Sequence, residues 1–378
     1  GAAMPDVDYK LSGTVMLIDG QSSATLKVAI INDFLFENPE TASITISFAH
    51  PIGSAGSSGG KGGVGASATH DLTINSEDRR ISTDPTRVSV IPSTAGTIVQ
   101  LVNIRTNFTR ILTPIPGYRG GFNTVLEDID NDGIRDLIVG TTGAIGGRIR
   151  VLSGSTGAII RDYVPYSSSY RLAVNVGVAD LNGDNRPDII AGTAPGAAPR
   201  VVAYSGSSVQ PLVIANFLAF ANTFRGGVMV AGGDTNGDGT GEIIATTASG
   251  SNLVRIFSGS GTVIRQFAAL TPTNRGLSVV AADLNRDGRD EIIVGSLTGV
   301  TRVGIYDNLG RPLKPVQLPL GTASTARINV ATADYDGDAI TDILLSRVAG
   351  RGSEPRLFAF RFSDMRKIAD LSFALLSM

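Results

Sequence analysis

The sequence predicts an all-β protein whose main part is a β-propeller of four-stranded blades. An acidic, glycine-containing loop recurs five times from residue 120 onward. The copies open at Asp128, Asp180, Asp234, Asp283 and Asp334, at spacings of 52, 54, 49 and 51 residues. Each period holds four short apolar, β-branched runs and no sustained 3.6-residue periodicity. A period near 50 is too long for most helical repeats and suits a propeller blade, whose sheet buries its faces by stacking on its neighbours.

The elements follow in order. Gly1-Ala2-Ala3-Met4 reads as an expression scar. Residues 5–80 form a first β domain, with strands expected at Val7–Ile18, Ala24–Ile31 and Ala42–Phe48 and a Gly/Ser-rich loop at 53–65. These pieces are too few for a complete sandwich. Residues 81–378 form the propeller. Val88–Ile91, Thr97–Val102 and Thr109–Thr113 make a degenerate blade before the five full ones, so six blades are favoured. His70–Ile74 is either the innermost strand of that blade or the last strand of the first domain. In the second full repeat the strands are expected near Ala173–Val178, Asp188–Gly192, Arg200–Tyr204 and Pro211–Phe217, separated by turns such as Asn182-Gly183 and Ser205-Gly206.

Composition narrows the chemistry. The chain has no Cys and only His50 and His70, which excludes disulfides, thiol nucleophiles and Cys-based zinc, and disfavours Ser-His-Asp or multi-His sites. A net charge of −2 argues against nucleic acid as partner. No apolar run reaches 18 residues, so no transmembrane helix is expected.

The acidic loops read D-x-[DN]-x-D-G-x-x-[DE], with side-chain oxygens at positions 1, 3, 5 and 9 and a carbonyl at position 7. The first offers Asp128, Asp130, Asp132, Ile134 and Asp136; the second Asp180, Asn182, Asp184, Arg186 and Asp188. The third offers Asp234, Asn236, Asp238, Thr240 and Glu242; the fourth Asp283, Asn285, Asp287, Arg289 and Glu291; the fifth Asp334, Asp336, Asp338, Ile340 and Asp342. A hard cation taking six to eight oxygens wants this supply, and Ca²⁺ fits better than Mg²⁺, which keeps more of its water. About five Ca²⁺ sites follow. Turns rich in Asp, Asn and Gly also arise without metal, but five copies with one oxygen pattern weigh against that. An EF-hand would need its acid at position 12 and a following helix; here the acid is at position 9 and strand residues such as Leu137-Ile138-Val139 follow. Position 6 calls for φ > 0, which Gly allows and Asn185 tolerates. Ala339 resists it at a cost of roughly 1–2 kcal/mol, so the last loop should be the weakest site or use a different turn.

These repeats resemble the FG-GAP (integrin α-chain type) calcium-binding β-propeller repeats over about Thr97 to Met378, with Gly120-Gly121-Phe122 and Phe224-Arg225-Gly226-Gly227 at the turn that names the family. The resemblance implies structural calcium under the propeller and ligand binding on the opposite loops. The N-terminal segment resembles the later part of a Calx-β domain through Asp8-Tyr9, Ser12-Gly13-Thr14-Val15, Gly20 and Ile30-Ile31-Asn32-Asp33, with Asp71–Asp78 as its closing strand and acidic end. That implies further calcium candidates at Asp8, Asp33, Glu37, Glu40, Glu77 and Asp78.

Two other groups have plain explanations beside functional ones. Arg105, Arg110, Arg119, Arg148, Arg150 and Arg161 could gather to hold an anion, or pair with loop acids. Tyr163, Tyr166, Tyr170, Phe217, Phe220 and Phe224 are expected to pack between blades, with sugar stacking as the alternative. The expected function is an extracellular calcium-binding module for adhesion or for binding a glycan or surface protein, in a secreted or cell-surface protein of bacterial type. It is not expected to be an enzyme. The rivals are a module of a polysaccharide-active enzyme, whose base and charge stabilisers are not visible, and a structural spacer.

Overall fold

The computed structural model describes strands at residues 9–11, 28–30, 40–46, 68–74 and 87–90, and residues 98–372 apart from 104–108, 144–145, 271–275, 298–301, 317–326, 339 and 348–355. The chain divides into two compact units, Gly1–Ile81 and Ser82–Met378. The first holds β1 (Tyr9–Leu11) paired antiparallel with β2 (Val28–Ile30), and β3 (Glu40–Ile46) paired with β4 (Ala68–Ile74). β4 answers the question left by the sequence, since it pairs Glu40 with Ile74 through Ile46 with Ala68 and lies in the first unit. The Gly/Ser-rich loop 53–65, Asp8, Asp33, Glu37, Glu77 and Asp78 lie outside the described residues.

The second unit begins with a three-stranded sheet, β5 (Arg87–Val90), β6 (Val99–Asn103) and β7 (Thr109–Leu112). Five four-stranded blades of a β-propeller follow. They are β8 (Phe122–Glu127), β9 (Asp136–Thr141), β10 (Ile149–Leu152), β11 (Ile159–Tyr163); β12 (Val174–Ala179), β13 (Asp188–Thr193), β14 (Arg200–Tyr204), β15 (Val213–Leu218); β16 (Val228–Gly233), β17 (Glu242–Thr247), β18 (Leu253–Phe257), β19 (Val263–Ala268); β20 (Leu277–Ala282), β21 (Glu291–Ser296), β22 (Val303–Tyr306), β23 (Pro312–Val316); and β24 (Ile328–Ala333), β25 (Asp342–Arg347), β26 (Arg356–Phe360), β27 (Lys367–Ser372). Every blade is an antiparallel meander in chain order. The first strands β8, β12, β16, β20 and β24 touch one another in succession and are therefore innermost. No helix among the described residues is long and apolar enough to cross a membrane.

The second strand of each blade explains the hydrophobic pattern. β9, β13, β17 and β21 are buried along their whole length. They have a sheet neighbour on each side and a blade against each face, so a continuous apolar run replaces alternation. Burying a side chain such as Ile189 or Ile190 contributes about 1.5–3 kcal/mol. The next blade's first strand crosses close over this strand. A Cβ on Gly140 or Gly192 would collide with the carbonyl of Val174 or Val228, which begins that strand.

Those carbonyls are satisfied from the preceding blade. Asn123 Nδ2 donates to Val174 O (2.9 Å), Asn175 Nδ2 to Val228 O (2.7 Å) and Ser278 Oγ to Ile328 O (2.9 Å). The third blade has Met229 at this position, which cannot donate. There Thr246 stands where the first, second and fourth blades carry Gly140, Gly192 and Gly295, and its Oγ1 donates to Leu277 O at 3.0 Å. One substitution removes a donor and another restores it.

The aromatic residues stack between neighbours as expected. Tyr163 and Tyr204, from adjacent blades, lie 4.6 Å apart, and Phe217 and Phe257 lie 4.7 Å apart. Tyr166 pairs with Tyr170 (4.6 Å) and Phe220 with Phe224 (5.4 Å). The three-stranded sheet packs on the first blade through Val99, Leu101 and Leu112 against Leu137, Val139 and Leu152.

Candidate metal centre

Each acidic loop joins the first two strands of a blade, so all five lie at one end of the propeller. They also touch one another. The N–H at position 8 of the third loop, Gly241, donates to the Asp180 carbonyl (2.6 Å), and that of the fourth, Asp290, donates to the Asp234 carbonyl (2.8 Å).

The backbone folds around the acids in the same way each time. The position-1 carboxylate accepts N–H groups from the turn, as Asp128 does from Asp132 and Gly133, and Asp180 from Gly183, Asp184 and Asn185. Asp234 accepts from Gly237 to Gly239, Asp283 from Arg286 to Gly288, and Asp334 from Gly337. The position-5 carboxylate accepts the position-7 N–H, from Ile134, Arg186, Thr240, Arg289 and Ile340 onto Asp132, Asp184, Asp238, Asp287 and Asp338. The position-9 acid begins the second strand and accepts the position-2 N–H at 2.8–2.9 Å in all five loops. These five acids, Asp136, Asp188, Glu242, Glu291 and Asp342, are all buried.

Positive φ occurs at position 6 in Gly133 (87°), Asn185 (60°), Gly239 (86°) and Gly288 (81°). Ala339 lies outside the described residues, so the weakness assigned to the last loop on its account has no structural counterpart here. A second positive φ, which the sequence reading did not anticipate, falls at position 4 in Asn131, Gly183, Gly237, Arg286 and Gly337. The two left-handed residues curl the loop so that successive N–H groups point at the acids.

Three carboxylates converge in two of the loops. Ligand oxygens of Asp128, Asp130 and Asp136 lie within 4.8 Å of one another, and so do those of Asp334, Asp336 and Asp342. In the second, third and fourth loops position 3 is Asn. Asn236 Nδ2 donates to Glu242 Oε1 (2.5 Å) and Asn285 Nδ2 to Glu291 Oε1 (2.8 Å), while Asn182 Oδ1 accepts the Asp184 N–H (2.9 Å).

Burial raises the position-9 acids. Asp136 is pushed up to about 7, and Asp188, Glu291 and Asp342 to about 6, with neighbouring loop carboxylates adding to the shift. Asp128, Asp130 and Glu242 are raised for the same reason. Asp342 Oδ1 is buried with no hydrogen-bond partner among the described residues. An orphaned carboxylate oxygen in a group of three acids fits an oxygen-seeking cation, since the bare site leaves desolvated negative charge uncompensated.

Sequence reasoning missed several contributors. The hairpin between the third and fourth strands closes against the acidic loop. Gly154 N donates to Asp136 Oδ1 and Gly206 N to Asp188 Oδ1, each at 2.9 Å, and Ser155 Oγ donates to Asp132 Oδ2 at 2.7 Å. The signal was present as Ser153-Gly154-Ser155, Ser205-Gly206-Ser207 and Ser258-Gly259-Ser260 at the blade period. In the last blade Arg361 replaces that first Ser. Its guanidinium pairs with Asp336 and lies 3.9 Å from Asp338, which holds Asp336 below the usual carboxylate range. Asp290, beside Glu291, is also raised by burial to about 7.

Of the arginines that could gather or pair with loop acids, four are engaged with a strand acid or with backbone carbonyls. Arg148 and Arg150 pair with Asp162 at 2.9 and 2.7 Å, and Arg110 donates to the carbonyls of Gly154 and Ser155. Arg161 donates to Ile160 O, Arg119 is exposed, and Arg105 lies outside the described residues.

A family model described as FG-GAP-like repeat matches residues 128–191 and 234–294, each match starting at the first Asp of an acidic loop. FG-GAP-like repeats are therefore found within the first four blades. No curated protein matches the chain. Among solved structures, the V. cholerae biofilm matrix protein Bap1 is similar at 22% identity and a TM-score of 0.39, over 67% of this chain and 39% of that one. Chaetomium thermophilum Raptor is similar at 13% identity and a TM-score of 0.47, over 77% of this chain and 24% of that one. The chain thus spans well under half the length of either, and likenesses this distant say nothing about function.

Proposed function

We propose that this chain is an extracellular calcium-binding β-propeller module for adhesion or ligand binding, without catalysis, in a secreted or cell-surface protein. The three-stranded sheet would be its incomplete sixth blade, and the N-terminal unit a partial Calx-β-like domain. The observation that carries the metal reading is the buried position-9 carboxylate repeated in five loops, each beside further loop oxygens. Asp128, Asp130, Asp132 and Asp136 would hold the ion in the first loop, with the corresponding oxygens of the other loops. A bound Ca²⁺ supplies the positive charge that stabilises these desolvated acids. The chain's own part is to fix the oxygens, through N–H groups curled by two left-handed residues and a hairpin glycine. Short loops without a bidentate twelfth-position acid suit the 10⁻⁴–10⁻³ M affinities of extracellular modules. The test is thermal unfolding in chelator and in millimolar calcium. Each site stabilises by about 2.7 kcal/mol when free calcium is 100-fold above Kd; a Tm indifferent to both overturns the metal reading.

A further inference from the structure

The end of the propeller opposite the acidic loops has its own repeated residue. An arginine precedes the innermost strand in four blades, at Arg119, Arg171, Arg225 and Arg327, and all four are exposed. Arg275 occupies the same place in the sequence of the remaining blade but lies outside the described residues. The antiparallel meander puts these arginines at the end away from the acids, together with the turns between second and third strands. The described residues of the connections at this end, 113–121, 142–143, 146–148, 164–173, 194–199, 219–227, 248–252, 269–270, 276, 297, 302 and 327, include no Asp or Glu. Asp162 and Asp370, on outermost strands, are already paired with Arg148 and Arg150 and with Arg356 and Lys367. No carboxylate among the described residues pairs with any of the four arginines.

Two of them share one built geometry. Arg171 Nη1 donates to the carbonyls of Ser168 and Tyr170, and Arg225 Nη1 to those of Asn222 and Phe224. The guanidinium is thus folded onto its own turn, with Nε and Nη2 left without an acceptor among the described residues. The turns are tied to the preceding blade, since Gly147 N donates to Tyr170 O (3.2 Å) and Gly196 N to Arg225 O (2.8 Å). The Nε–Nη2 edge of a held guanidinium offers two parallel donors, the pattern that matches a carboxylate.

We infer that this arginine-bearing end binds a carboxylated polysaccharide, with the guanidinium groups of Arg171 and Arg225 each reaching a uronate carboxylate. The inference rests on the proposed role as a binding module and adds the contacting arginines and the ligand chemistry. A flexible polyanion can turn from one blade's arginine to the next. Duplex DNA, stiff over about 150 base pairs, presents its phosphates along a line and adapts less to cations carried on successive blades. In chelator the acidic far end repels the same polymer, so the charge separation also orients it.

The test measures hyaluronan binding to the full chain across a salt series, in chelator and in calcium, with neutral dextran and duplex DNA as comparators. The R171Q/R225Q double variant should bind hyaluronan about tenfold more weakly, or 1.4 kcal/mol, with a shallower salt dependence. Arg311→Gln, at the acidic end, should bind like the parent. R171K/R225K keeps the charge without the fork and should fall between. Thermal melts of each variant separate lost binding from lost folding. Absent hyaluronan binding, equal binding by the double variant, or tighter binding of DNA each overturn the inference. So does self-association abolished by the double variant, which would make a second copy's acidic end the occupant. None of these outcomes alters the calcium dependence of the Tm, by which the metal reading stands or falls.

Discussion

Gly206→Ala should damage the fold more than its small size suggests. Gly206 has no positive φ, so the backbone imposes no penalty on alanine there. The penalty comes from packing, because a Cβ would fall inside the contact radius of the Pro187 carbonyl oxygen, a main-chain atom that cannot swing aside. Backing the hairpin away breaks the 2.9 Å bond from Gly206 N to Asp188 Oδ1, and Asp188 is fully buried. Losing a hydrogen bond to a charged acceptor costs about 1.5–3 kcal/mol, and the forced shift adds about 1–3 kcal/mol. A total near 4 kcal/mol lowers the Tm by about 10 °C at roughly 2–3 °C per kcal/mol for a large domain. Gly239→Ala is the comparison. It sits at φ +86° with nothing within 4 Å of the new Cβ, so it carries only the left-handed penalty of about 1–2 kcal/mol. Both are melted by calorimetry in chelator, where metal plays no part. If Gly206→Ala melts at or above Gly239→Ala, the close approach is not what holds the hairpin on the loop.

Thr246→Val keeps the shape and leaves the Leu277 carbonyl without its donor, costing about 1–3 kcal/mol by urea unfolding; the added variant Met229→Asn should recover part of it. In chelator, stability should fall as pH rises from about 4 to 7, because burial lifts Asp136 to about 7 and Asp188 and Asp342 to about 6, so the folded chain holds those protons more tightly than the unfolded one. Calcium binds the deprotonated oxygens and should remove or reverse that slope, read as Tm against pH in both conditions. Arg361→Ser removes the guanidinium paired with Asp336 and should tighten calcium at the fifth loop about tenfold, or 1.4 kcal/mol, in a calorimetric titration.

The acidic loops were legible in the sequence because their geometry is local. An acid at position 1 reaches the N–H groups three to five residues on, so its oxygens and their donors share one short segment. The same holds for the four strands of each blade, whose apolar runs and turns recur within 50 residues; the second repeat's strands were placed within about two residues of β12 to β15. Position 4 was overlooked although Asn131, Gly183, Gly237 and Gly337 favour a left-handed turn, because Arg286 breaks the pattern. The hairpin glycines were read as turn residues only. What they contact lies 18 residues away in Asp136 and Asp188, and nothing in the local sequence states that distance is closed.

The sequence alone determined the β class, the blade period, the oxygen pattern of the loops and the concentration of acids in them, since each depends on residues close in the chain. Tertiary structure decided what depends on neighbours from other blades. It put Arg361 on Asp336, exchanged Met229 for Thr246 as the partner of the next blade, and paired off Arg148 and Arg150 while leaving Arg171 and Arg225 exposed. It also decided which acids are desolvated. Asp136 and Asp132 differ by four residues in the sequence, but only Asp136 opens a strand covered on both sides, and burial there costs a charge its water.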